Sequence, residues 1–125
     1  MVDREKIIKN YIESYNQFDI DKMFTDFDDK IVFENIQNGE TNMSLNGLTA
    51  LKEQAEQAKT YFTERTQSIK SFNHCDNRCE IEIGYRAILA IDFPNGLKKG
   101  QELNLLGKSI FEFENDKIIR LTDIS

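Results

Sequence analysis

The stretch His74-Cys75-Asp76-Asn77-Arg78-Cys79 gathers the chain's one histidine and both of its cysteines. Such a cluster could ligate a metal ion or close a disulfide across a hairpin. A structural zinc site takes four ligands, however, and the sequence holds no second group of Cys or His to complete one. The reading is two ordinary thiols flanking an Asp76-Asn77 turn, with His74 a solvent-facing loop residue and no metal bound. The six glycines form no phosphate-cradling loop, so no cofactor is expected. What remains is a set of neutral hydrogen-bonding side chains, Tyr11, Asn35 and Ser109. Brought together by a fold, these could orient a carbonyl or hydroxyl group, but none of them is a strong acid or base.

The bulk composition narrows the partners. A chain of 125 residues fits one domain, expected over residues 1–125. It buries roughly two-thirds of its unfolded surface, enough for a core without disulfide or metal staples. Nine Phe and four Tyr argue against disorder. The net charge of −6 and pI near 4.8 repel nucleic acid and anionic membranes. The local basic pair Lys98-Lys99 is too small to track a phosphate backbone. No apolar run reaches the ~20 residues that span a bilayer. The segment Met1-Val2-Asp3-Arg4-Glu5-Lys6 lacks the apolar core of a signal peptide, so a cytoplasmic location is expected.

The elements that must position these residues follow from periodicity. Ile7, Ile8, Tyr11, Ile12 and Tyr15 recur at helical spacing and predict an amphipathic helix over about residues 3–17. Asp19 is a candidate N-cap for a short second helix carrying Met23, Phe24 and Phe27, which Asp28-Asp29 should end. Ile31–Ile36 reads as a strand, residues 37–46 as a polar loop, and Gly47 as the opening of a third helix with Leu48, Leu51, Ala55, Ala58 and Phe62 as its apolar stripe. Everything after that reads as strand. From Cys79 to Phe93 the odd positions are apolar, and the next strand, about 101–114, places Leu103, Leu105, Gly107, Ser109, Phe111 and Phe113 on one face. Lys117–Ile124 closes the sheet. Helices followed by a long meander define a segregated α+β chain.

Two late strands carry apolar residues on both faces, at 87–91, Leu105-Leu106 and Ile110-Phe111. A half-solvated strand would alternate cleanly. The outer face of the sheet is therefore expected to pair with a second copy in a homodimer.

The run from Tyr11 through Phe18-Asp19-Ile20-Asp21 to Phe27-Asp28-Asp29, then Glu34-Asn35, Gly47, Gly107, and Phe113–Arg120 with Leu121-Thr122-Asp123, resembles the nuclear transport factor two-like superfamily. The later strands resemble its SnoaL-like polyketide cyclase branch. The resemblance covers nearly the whole chain and rests on the succession of motifs. It implies a cone: a curved mixed or antiparallel sheet with three helices from the N-terminal half, enclosing a deep pocket.

The resemblance to ketosteroid isomerases within that superfamily implies three positions. The oxyanion-donating tyrosine falls on Tyr11. The catalytic base falls on Asn35, an amide that cannot abstract a proton. The protonated late-strand aspartate falls on Ser109. Glu34 leaves its strand on the opposite face. The epoxide hydrolase branch would need Arg86, Arg120 and Asp123 to assemble, and Arg86 sits on a polar strand face. The dehydratase branch uses paired histidines, which one His cannot supply. The cyclase branch uses an acid–base Asp, for which Asp123 is the nearest candidate.

With the odd-numbered strand faces turned inward, Tyr11, Tyr15, Phe33, Asn35, Tyr85, Leu103, Leu105, Ser109, Phe111 and Phe113 would line the cone. An apolar cavity with few hydrogen-bonding groups suits a small, mostly hydrophobic or amphipathic molecule. The sequence thus leaves three functions open: a ligand-binding pocket protein, a cyclase- or isomerase-type enzyme using an in-pocket carboxylate, and a dimeric interaction module with a cavity plugged by its own side chains.

Overall fold

A computed structural model describes residues 3–125. The first helix, α1 (Arg4–Asn16), starts where the Asp3 side chain accepts a hydrogen bond from the Lys6 N–H, and it buries Ile8, Tyr11 and Ile12 on one face. Phe18 then reverses the chain in a left-handed conformation, with φ 59°, which is costly for a bulky residue. Asp19 caps the single-turn α2 (Ile20–Met23) by accepting from the Lys22 N–H, as its position in the sequence predicts.

The strands are β1 (Phe27–Gln37), β2 (Glu40–Asn46), β3 (Phe62–Cys75), β4 (Arg78–Leu89), β5 (Glu102–Glu114) and β6 (Lys117–Ile124), with α3 (Leu48–Ala58) between β2 and β3. Gly47 precedes α3 at φ 93°, a conformation that lets its N–H reach the Ile31 carbonyl at 2.7 Å. The sheet order is β2-β1-β6-β5-β4-β3, with β1 and β6 parallel and the other neighbours antiparallel. This is the mixed, curved α+β sheet that the sequence implied.

Several sequence expectations need correction. Phe62 does not belong to the third helix, which ends at Ala58, but opens β3 after a single 3-10 turn. Residues 40–46 are a strand and not a loop. Asn38 and Gly39, at φ 53° and 79°, form the turn of a β1–β2 hairpin, and Met43 and Leu45 alternate inward along a polar edge strand. Strand composition is weakest at an edge, where only one neighbour is paired. Asp28-Asp29 does not end a helix but lies inside β1, which begins at Phe27. Ile91 and Phe93 fall beyond β4, which stops at Leu89; Phe93 instead packs edge-on against Tyr61, ring centroids 5.7 Å apart.

Pairing register fixes the two faces. On the inner face Ile81 stands opposite Ser109, Cys79 opposite Phe111, Phe111 opposite Leu121 and Ser109 opposite Asp123. α1 and α2 close over this face, burying Ile8, Ile12, Phe24, Phe27, Ile81, Phe111 and Leu121. On the outer face Arg86 bridges Glu102 at 2.6 Å and Glu64 at 3.6 Å, while Arg120 pairs with Glu34 and, at 3.6 Å, with Glu112. Among the described residues no helix is long and apolar enough to cross a membrane.

Candidate functional site

A cavity of about 190 Å³ opens between the helices and the inner face of the sheet. Tyr11 and Tyr15, four residues apart on α1, point toward it from one side. Met23 and Phe24 at the end of α2, and Leu51, Gln54, Ala55 and Ala58 along α3, close it from another. The sheet contributes Phe33 and Asn35 from β1, Met43 from β2, Arg65 from β3 and Asp123 from β6. A cavity of about 150 Å³ holds one benzene molecule, so this one admits roughly a single substituted ring.

Asp123 is the wall's carboxylate. Its Oδ1 accepts a hydrogen bond from Ser109 Oγ at 2.6 Å. Burial against apolar walls pushes the carboxyl up to about 6, and the Ser109 hydroxyl holds that rise in check. The residue keeps some accessible surface of its own, because it faces the cavity. Asn35 is its direct partner on the neighbouring parallel strand. The Asn35 amide donates to Asn42 Oδ1 at 2.8 Å. Tyr11 packs between Phe27 and Phe111, with ring centroids 5.3 and 5.7 Å away. Desolvation first, and the Asp123 charge second, raise its hydroxyl well above the ordinary tyrosine range, so it stays protonated as a donor.

Arg65 is the residue that sequence reasoning missed. It is only 4% exposed. Its Nε donates to the Tyr15 carbonyl at 2.9 Å, and its guanidinium carbon lies 3.7 Å from the Tyr15 ring centroid and 4.5 Å from that of Phe18. Its Nη2 is buried without a hydrogen-bond partner. The left-handed turn at Phe18 is what brings the second ring over the cation. The sequence signal was obscured by a bulge in β3 between Ile69 and Ser71, which shifts the inward set from Arg65, Gln67 and Ile69 to Phe72 and His74. A single period-two reading across residues 64–74 therefore looks mixed.

Of the residues predicted to line the pocket, Tyr11, Tyr15, Phe33 and Asn35 are on the cavity wall together with Asp123. Ser109 and Phe111 lie one layer behind: Ser109 holds Asp123, and Phe111 supports the Tyr11 ring. Tyr85 reaches the site through its hydroxyl, 3.0 Å from that of Tyr15. Phe113 is buried next to Arg4, whose guanidinium lies 5.1 Å from its ring centroid. Leu105 is placed elsewhere. It shares the inner face with Tyr85, but β6 pairs β5 only from Lys108 onward, so nothing covers it and it is 50% exposed. Leu103 lies on the same protruding part of β5. Arg86 and Arg120 leave the sheet on the face opposite Asp123, so the three do not assemble. His74 pairs with Glu5 at 2.6 Å, and Cys75 and Cys79 are unpaired at either side of the β3–β4 turn.

No family model matches the chain, and no curated protein matches it. Solved structures do. A provisionally assigned polyketide cyclase from Xanthomonas campestris superposes with a TM-score of 0.83 at 17% identity, over 97% of this chain and 88% of that one. A nuclear transport factor two-like protein of unknown function from Burkholderia pseudomallei gives 0.76 at 14% identity, over 98% and 90%. A ketosteroid isomerase-like protein from Catenulispora acidiphila, in complex with trimethylamine, gives 0.76 at 9% identity, over 94% and 83%. The chain has the nuclear transport factor two-like fold.

Proposed function

We propose that the chain binds a small, mostly hydrophobic molecule bearing a carbonyl group in the α-helix-covered cavity, and that Asp123 moves a proton on it. One observation carries this reading: a carboxyl group with its pKa pushed up to about 6 shares an apolar cavity with a protonated tyrosine hydroxyl. A carboxylate with an affinity for protons this close to neutrality is matched to general acid–base work. Ser109 occupies Oδ1, and Oδ2 is left for the ligand. In the proposed step Oδ2 takes the proton from a carbon next to the carbonyl. The electron pair moves into an enolate whose oxygen accepts a hydrogen bond from Tyr11, and Asp123 returns the proton to a carbon of the same molecule. The likeness in fold to a polyketide cyclase and to an isomerase-like protein agrees with this class of chemistry.

The test is exchange of α-hydrogens in D2O, followed by NMR, across a panel of small cyclic ketones. The wild-type protein should catalyse exchange for at least one ketone, and Asp123→Asn should abolish it. Ketones that shift cavity resonances without exchanging would replace the enzyme reading with a binding one, in which Asn35, standing where an isomerase keeps its base, merely orients the oxygen.

The partner we propose is a second copy of the chain against the outer sheet face. Leu106, 75% exposed there, shares that face with the neighbouring Arg86–Glu102 ion pair, which a two-fold arrangement could match across an interface. Leu106→Glu should convert a dimer to a monomer in light scattering. A wild-type chain that runs as a monomer would sink this.

A further inference from the structure

We propose that the molecule bound in this cavity carries an oxyanion, such as a carboxylate, and that Arg65 is its anchor; this rests on the reading that the cavity binds a small molecule. Arg65 lines the cavity from β3, while Asp123 lines it from β6. Arg65 is more than nine-tenths buried, and among the described residues no carboxylate pairs with it. A guanidinium keeps its charge on burial, and an unpaired buried charge is among the most unfavourable groups a fold can hold. The Tyr15 and Phe18 rings and one carbonyl satisfy the faces of the cation and Nε, yet Nη2 has no acceptor. An oxyanion on the ligand supplies the missing acceptor.

The arrangement also separates the two charges usefully. Asp123 on β6 and Arg65 on β3 have β5 and β4 between them in the sheet. A ligand with its anionic end at Arg65 therefore presents its other end to Asp123 and avoids placing two negative charges side by side. The cavity volume limits this ligand to about one ring. The substrate class is thus a small cyclic or aromatic oxo acid: an anionic group at one end and the carbonyl at the other.

Benzoate and its neutral isostere benzamide separate the charge from the shape. Titrated into the whole protein and followed by amide NMR shifts, benzoate should bind at least about tenfold more tightly than benzamide, a difference of ~1.4 kcal/mol. The preference should disappear in Arg65→Gln. The Arg65 Nε resonance of the wild-type protein should move with benzoate and stay with benzamide, a measurement that stands even if the variant fails to fold. Equal binding of the two at the cavity would overturn the anion anchor and leave the cavity reading intact. A preference for benzoate without movement of Arg65 Nε would assign the anion to another cation. No shift of cavity resonances with either compound at about 10 mM would remove both readings.

Discussion

Asn35 on β1 and Asp123 on β6 are direct neighbours in the parallel pairing of those strands, and both side chains leave the sheet on the cavity face. Neighbouring strands lie about 4.8 Å apart. A carboxylate therefore stands one strand over from Asn35, at the same level of the cavity. Ser109, in turn, stands opposite Asp123 on β5. Three positions that the sequence offers singly form one row across β1, β6 and β5, with a carboxylate in the middle and a neutral hydrogen-bonding group on each side.

Exchanging the middle of that row should stabilise the protein at neutral pH. The folded-state pKa of Asp123 lies near 6, above the ordinary 3.8 of an unfolded aspartate. The fold thus favours the protonated carboxyl. Its contribution to stability is complete below about pH 3.8 and is lost as the pH rises through 6. A shift of about two units sets an upper bound of ~3 kcal/mol, and Asp123→Asn should recover roughly 1–2 kcal/mol of this at pH 7.5 and nothing at pH 3.5. Urea denaturation of both proteins at the two pH values measures it. A variant less stable than wild type at pH 7.5 would show that Asp123 is held as a favourable anion.

Removing the Ser109 hydroxyl should move the same titration upward. Its hydrogen bond to Oδ1 favours the carboxylate and opposes desolvation. Ser109→Ala leaves the packing nearly unchanged but lets burial act alone. The midpoint of catalysed hydrogen exchange against pH, rising as Asp123 ionises, should shift to the alkaline side of about 6. A midpoint that stays in place would mean that the titrating group is not Asp123.

Much of this was legible in the chain. The amphipathic α1, the cap at Asp19, and the alternation in β4 and β5 follow from local sequence, which tertiary packing here only reinforces. Tyr11, Tyr15, Phe33 and Asn35 reach the cavity because each lies on the apolar side of its element. What the sequence hid depends on irregularities of register. The bulge at Lys70 in β3 masked Arg65 as an inward residue. Leu105 has inward parity opposite Tyr85 yet is exposed. The β2 edge strand is too polar to read as a strand without knowledge of its neighbour. A charged residue turned inward is also the opposite of what an apolar-face reading looks for.

Tyr11→Phe should lower proton-transfer turnover by roughly 100-fold, the size of effect seen when an oxyanion donor is removed. The ring contacts with Phe27 and Phe111 are kept, so thermal unfolding should move little. Tyr15→Phe is the control. Its hydroxyl is engaged with that of Tyr85, and its loss should affect turnover far less. Equal losses in the two variants would mean that the tyrosines shape the cavity and that neither donates to the reacting oxygen.

Gly107→Ala probes the backbone that carries the row. A Cβ built at Gly107 would lie 2.9 Å from the Ile124 carbonyl oxygen, and that neighbour is backbone at the end of β6 rather than a flexible side-chain tip. The clash can be relieved only by parting β5 from β6 next to the Ser109–Asp123 pair. Overpacking of this kind costs about 1–3 kcal/mol. The same displacement should lengthen the hydrogen bond from Ser109 and so raise the Asp123 midpoint, in the direction expected of Ser109→Ala. Stability and titration midpoint should therefore change together in Gly107→Ala, measured by urea denaturation and by the pH profile of hydrogen exchange. A loss of stability with an unmoved midpoint would show that the β6 end yields without disturbing Asp123, and that the row is held from β1 instead.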